Sequence, residues 1–256
     1  MNEFDKLLEI MNKLLDAKNG CPWDLEQTLE SLRPHMIEEV YEISDAISER
    51  NYNALKEELG DLLLHIVFQS KIAEEDKQFN IEDVLTDINK KMILRHPHIF
   101  KNTKVKDADE VEHNWEKIKL QEKSHRKSIL EGLPKSLPSL IKAKRIQSKA
   151  ATVSFDWKNI DDIFNKLKEE LVEFETEYES RNQEKMSDEL GDILFTLVNI
   201  SRKLNIDPEF ALENTIKKFI KRFNYIEENL KEKIFSSSIE EMEYLWQKAK
   251  EKPNEE

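Results

Sequence analysis

The 256-residue chain has one cysteine, Cys21, and four glycines, Gly20, Gly60, Gly132 and Gly191. A lone thiol excludes an intramolecular disulfide and suits a reducing compartment, so we expect the cytoplasm. No two glycines have P-loop or G-x-G-x-x-G spacing, which excludes phosphate binding by a glycine-rich loop. Long apolar runs are missing too. Stretches such as 62–68 are far too short to span a bilayer, and the start Met1-Asn2-Glu3-Phe4-Asp5 has no signal-peptide pattern. Positive charge is in deficit, 40 Lys and Arg against 53 Asp and Glu, for a net charge of −13. That balance argues against stable nucleic-acid binding and against an anionic membrane surface, while small anions stay accessible if a metal bridges them. All six histidines, His35, His65, His96, His98, His113 and His125, lie at or before residue 125. Histidine-based nucleophilic chemistry is therefore excluded from the second half acting alone.

What is present is charge on helical spacing. With 38% hydrophobic and 36% charged residues and no β-hairpin signal, the chain reads as all-α with long amphipathic faces. Glu38-Glu39-Val40-Tyr41-Glu42, followed by Glu58-Leu59-Gly60-Asp61, returns as Glu169-Glu170-Leu171-Val172-Glu173, followed by Glu189-Leu190-Gly191-Asp192, at a constant offset of 131. Acidic residues are common here, so a single E-E-x-x-E would mean only a solvated face. Matching six acidic positions in one register by chance has a probability of roughly 10⁻⁴, or a few per cent over all registers. Two of the four glycines also share a place in the repeat. Glycine inside a helix costs about 1 kcal/mol relative to alanine, so its use there suggests close helix packing or backbone approach to a ligand.

The repeat divides the chain into two helical domains, 1–120 and 139–256, joined by a linker at 121–138 that carries Gly132, Pro134 and Pro138. In the first, apolar spacing predicts a helix over 4–15, then helices over 28–49, 52–75 and 81–95, and one around Trp115. In the second it predicts 161–179, 184–204 and 208–231, then a last helix carrying Trp246. The first copy has four more residues than the second between the acidic block and the basic helix, a loop insertion.

Spacing three puts Glu39 with Glu42, Glu58 with Asp61, Glu170 with Glu173, and Glu189 with Asp192 on single helix faces. Facing pairs make an oxygen-only nest, which selects Mg²⁺, with Mn²⁺ as a substitute, over zinc or copper. A solvated acidic surface is the plain alternative, and a non-enzymatic interaction module is its functional form. Di-iron chemistry would use His65, one turn beyond Asp61, but the equivalent residue is Thr196, so His65 is read as a core or supporting residue. Lys166 and Lys185 each precede a carboxylate by one turn, and Lys218 with Arg222 makes a basic pair on the next helix. These suit phosphate oxygens. The first copy keeps Lys91 and Arg95 but has His35 and Ala54 in place of Lys166 and Lys185. Trp246, the counterpart of Trp115, would stack on a base or pack in a core, and spacing leaves both open.

These motifs, with Gly20-Cys21-Pro22-Trp23-Asp24, Arg95-His96-Pro97-His98-Ile99-Phe100, Gly132-Leu133-Pro134 through Leu137-Pro138, Phe155-Asp156-Trp157 and Phe219 through Phe223, resemble the two-domain MazG family of nucleoside triphosphate pyrophosphohydrolases over nearly the whole length. The resemblance implies tandem helical bundles of the all-α NTP pyrophosphatase type. It also implies a homodimer that uses Mg²⁺ to split a nucleoside triphosphate, ribo or deoxyribo, into monophosphate and pyrophosphate. Its site residues map onto Glu170, Glu173, Glu189 and Asp192 as metal ligands, and onto Lys166, Lys185, Lys218, Arg222 and Trp246 as nucleotide contacts. Glu169 or Asp188 is left to orient the water. Glu39, Glu42, Glu58 and Asp61 match the metal motif in the first copy, where the departures at His35 and Ala54 point to the second copy as the main catalytic one.

Overall fold

A computed structural model describes residues 2–101, 103–122 and 128–251, and every regular element among them is helical. The chain divides into two compact units, Met1–Val111 and Glu112–Glu256. Residues 123–127 of the expected linker, and His125 with them, lie outside the described residues.

The first unit is built on a helical hairpin. Helix α1 (Glu3–Leu14) precedes a short α2 (Pro22–Leu25), followed by α3 (Leu29–Ser48), α4 (Tyr52–Glu75), α5 (Ile81–Arg95) and the single turn α6 (Pro97–Phe100). Asn2, Thr28 and Asn80 each accept an N–H of the first helical turn, which explains the sharp starts of α1, α3 and α5. Helix α1 packs on α4. Met11, Leu15, Leu32, Val67 and Phe68 form the buried core between α1, α3 and α4, with Phe4, Leu7, Leu64 and Ile72 around it. Burying each of these side chains contributes about 1.5–3 kcal/mol. After α1 the chain turns so tightly that a Cβ on Gly20 would lie 2.4 Å from the carbonyl oxygen of Leu14, so only glycine fits.

The second unit repeats this plan. Helix α7 (Ala108–Glu122) spans the boundary, then come α8 (Ser139–Ala151), α9 (Ile160–Ser180), α10 (Gln183–Lys203), α11 (Pro208–Leu230), a 3₁₀ turn (Lys231–Phe235) and α12 (Ile239–Glu251). Helices α9 and α10 are the counterpart of α3 and α4, while α8 crosses α10 and α11 as α1 crosses α4. Ile163, Ile193, Val198, Ile200 and Ile226 are its buried apolar residues. Both hairpins turn in the same way. Arg50 and Arg181 adopt left-handed backbone conformations, φ 54° and 56°, and Asn51 and Asn182 then cap α4 and α10 with their side chains. The repeat thus preserves the turn as well as the acids, and the turn sets which carboxylates face each other.

Polar ties hold the second unit's helices in place. Lys144 of α8 pairs with Asp207, the cap of α11, at 2.9 Å, and Gln147 donates to the carbonyl of Phe195 at 2.8 Å. Lys149 Nζ reaches back to the carbonyls of Ile129 and Glu131. Asp156 accepts from Arg202 and, at 2.6 Å, from Lys203, pinning the α8–α9 connection to the end of α10. No described helix is long and apolar enough to cross a membrane.

Candidate active site

In the first unit, α3 presents Glu39 and Glu42 and α4 presents Glu58 and Asp61. One carboxylate oxygen from each of Glu39, Glu58 and Asp61 lies within 4.8 Å of the other two. Glu42 stands beside them, hydrogen-bonded to Glu39. Burial first, then the negative charge of Asp61, Glu42 and Glu38, raises the Glu39 pKa; burial followed by Glu42 and Glu39 raises that of Glu58. Among the described residues, no ammonium or guanidinium offsets the charge of Glu39 or Glu58. His65 brings Nε2 to 3.7 Å from Glu39, too far for a hydrogen bond, and its ring lies parallel to that of His35 at 6.4 Å. Burial and the neighbouring His35 lower the His65 pKa, which favours a neutral ring.

In the second unit, α9 and α10 bring Glu170, Glu173 and Glu189 together within the same 4.8 Å. Asp192 is exposed one turn beyond Glu189 and is outside that trio. Glu170 is the deepest, its side chain only 6% exposed. Lys166 reaches across one turn of α9 to Glu169 at 2.6 Å and Glu170 at 2.9 Å, and these two hydrogen bonds push its pKa above the usual lysine range. Burial, and the hydrogen bond with Glu170, raises the pKa of Glu173.

The remaining expected contacts are dispersed. Lys185 bridges the hairpin to Glu177 at 3.1 Å. Asp188 and Lys218 are exposed. Trp246 packs on Phe219 with ring centroids 5.1 Å apart, and the Arg222 guanidinium lies 5.5 Å from the same ring, so both belong to the α11–α12 contact. Sequence reasoning missed Glu177. Its signal was the paired loss in the first copy, where Glu177 and Lys185 correspond to Ala46 and Ala54.

An octahedral ion with ligands about 2.1 Å away needs its donor oxygens no more than about 4.2 Å apart, a spacing that carboxylates within 4.8 Å of one another reach by small side-chain adjustments. The donor set is oxygen alone in the second unit, which suits a hard divalent cation. Glu39, Glu58 and Asp61 in one unit, and Glu170, Glu173 and Glu189 in the other, would hold it.

Residues 27–100 and 159–226, which contain both acidic hairpins, match the family described as the MazG nucleotide pyrophosphohydrolase domain. The chain is 39% identical over 259 residues to the nucleoside triphosphate pyrophosphohydrolase of Escherichia coli K12, covering 98% of each. It is 43% identical over 251 residues to the Thermotoga maritima protein named nucleoside triphosphate pyrophosphohydrolase/pyrophosphatase MazG, covering 96% of this chain and 95% of that one. With the uncharacterized protein YabN of Bacillus subtilis it shares 46% identity over 255 residues, which are 98% of this chain and 52% of that protein. On the strength of a match to both acidic hairpins and of relatives aligned from end to end, the chain belongs to the MazG family of nucleotide pyrophosphohydrolases.

Proposed function

We propose that the protein hydrolyses nucleoside triphosphates, ribo or deoxyribo, to the monophosphate and pyrophosphate with Mg²⁺, and that the second unit carries most of the activity. The observation that supports this reading most is the trio Glu170, Glu173 and Glu189 beside Lys166. The divalent ion, when bound, supplies positive charge to the phosphate oxygens and acidifies water. Glu170, Glu173 and Glu189 would hold it, and Asp192, exposed one turn beyond Glu189, is the fourth carboxylate available to it. Water attacks the α-phosphorus, the bond from that phosphorus to the bridging oxygen breaks, and pyrophosphate leaves. Glu169 or Asp188 accepts the water's proton, a role that needs only a carboxylate within hydrogen-bond reach. Lys166, Lys185, Lys218 and Arg222 are the cations available to the phosphates, and Trp246 is the aromatic available to the base.

We place the protein in the cytoplasm and read it as a homodimer. Apolar side chains on the acidic helices, among them Val172, Leu190 and Leu194, stand about half exposed in the single chain. Gly60 and Gly191 support the same reading, because a Cβ on either would meet nothing within 4 Å in this chain. Close packing inside the chain is therefore not what those glycines serve; approach by a second copy or by substrate is. The functional domains are those of the sequence, 1–120 and 139–256 with the linker 121–138 between them.

The test is a screen over ribo- and deoxyribonucleoside triphosphates with Mg²⁺ and resolved products. Monophosphate plus pyrophosphate is expected, with activity abolished in Glu173→Ala and mostly retained in Glu42→Ala. Diphosphate plus orthophosphate, or no turnover with any nucleotide, refutes the reaction; equal losses in the two variants refute the asymmetry.

A further inference from the structure

The two trios differ in what neutralises them. In the second unit an ammonium sits on the deepest ligand: Lys166 Nζ lies 2.9 Å from Glu170, and its second partner Glu169 lies outside the trio. In the first unit the equivalent residue is His35, whose Nδ1 is 3.9 Å from Glu38 and whose ring stacks on His65. The nitrogen facing Glu39 belongs to an imidazole at 3.7 Å. Among the described residues, an ammonium therefore contacts a ligand carboxylate in the second site, whereas the basic group nearest Glu39 in the first is an imidazole.

We propose that Lys166 is a stand-in cation, which occupies Glu170 while the second site is empty and must move to a substrate phosphate oxygen when a divalent ion takes that carboxylate. The idea rests on the reading of the second unit as a nucleotide site. A bare ion entering there displaces Lys166 and gains no new partner for it. An ion entering with a triphosphate gives the ammonium an anionic oxygen within reach of its flexible arm, while Glu169 keeps it close. Ion and nucleotide thus bind the second site cooperatively, and by linkage each tightens the other by the same factor. The first site, without such a cation, takes a bare ion.

The experiment measures Mn²⁺ binding to the full chain by the electron paramagnetic resonance signal of the free ion, with and without α,β-methylene-ATP. Without the analogue, one tight ion per chain is expected, lost in Glu39→Gln/Glu58→Gln. In that double-variant background the analogue creates tight binding. Adding Lys166→Gln strengthens binding of Mn²⁺ alone about fivefold, the worth of one partly exposed ion pair, and shrinks the analogue's effect. Lys166→Arg, which keeps the charge, leaves binding of Mn²⁺ alone weak. Unchanged or weaker binding of Mn²⁺ alone in Lys166→Gln overturns the stand-in role, as does equal affinity of the two sites for the bare ion. If the same preparations still release monophosphate and pyrophosphate, the catalytic reading survives that failure. If Mn²⁺ does not bind with or without the analogue and no nucleotide is cleaved, both fall.

Discussion

Asp156→Asn tests how the second unit is held together without touching its carboxylates. Burial opposes the Asp156 charge, yet hydrogen bonds from Arg202 and Lys203 hold its pKa below the usual 3.8. The amide keeps the shape and loses the charge. Arg202, 13% exposed, retains Asn199 as an acceptor at 2.7 Å, and Lys203, 25% exposed, turns to water. The cost is therefore below the several kcal/mol of a fully buried broken pair and near that of one charge-assisted hydrogen bond, about 2–3 kcal/mol. For a unit of this size that lowers Tm by about 6–12 °C at neutral pH, read by scanning calorimetry of the full chain. Because the folded pKa is depressed, the stabilisation is complete above 3.8 and is lost as pH falls through the lower folded value. Wild type and variant converge in acid. Arg202 lies thirteen residues beyond Glu189 on α10, about 20 Å along the axis, so Mn²⁺ binding is unchanged. A Tm change under about 2 °C at neutral pH, or a difference that does not shrink as the solution is acidified below pH 3.8, would refute this account of the tie.

Three further outcomes are expected. In metal-free protein, Glu39 has a raised folded pKa, so its contribution is present below the ordinary 4.5 and is lost as pH rises through the folded value. Wild type therefore loses stability relative to Glu39→Gln over that interval in urea titrations, and saturating Mg²⁺ reverses the order; a pH-independent difference contradicts the crowding of charge. Gly191→Ala adds a methyl into open space on an exposed helix and raises stability by about 0.5–1 kcal/mol in dilute protein. A gain that turns into a loss as protein concentration rises supports the approach of a second copy at this glycine; a gain of the same size at every concentration contradicts it. Gln147→Met removes a buried amide whose Oε1 has no partner and whose Nε2 bonds a carbonyl already in α10, so chemical denaturation should change by less than about 1 kcal/mol. A loss above 2 kcal/mol would show that the Phe195 contact carries the α8 packing.

Much of the fold was legible because it is written in local chemistry. Asn51 and Asn182 mark helix starts by their capping side chains, and apolar spacing placed 52–75 and 81–95 where α4 and α5 stand. Helix α8 was not read, since its charged sequence resembles linker until Gln147 and Lys144 find partners on other elements. The acidic faces were legible from spacing three, but the trios were not. Asp61 joins the first trio and Asp192 stays exposed outside the second, a difference of side-chain rotamer that spacing along the helix does not carry. For Lys185, i, i+4 spacing sees only the carboxylate on its own helix. Its partner Glu177 stands across the hairpin.

Hydrolysis in water enriched in ¹⁸O tests the central claim most directly, with ³¹P resonance shifts locating the label in the products. Attack at the α-phosphorus in the second unit predicts the label in the nucleoside monophosphate, none in pyrophosphate, and no labelled product from Glu173→Ala. Label in pyrophosphate or orthophosphate, or undiminished labelling in Glu173→Ala, would contradict it.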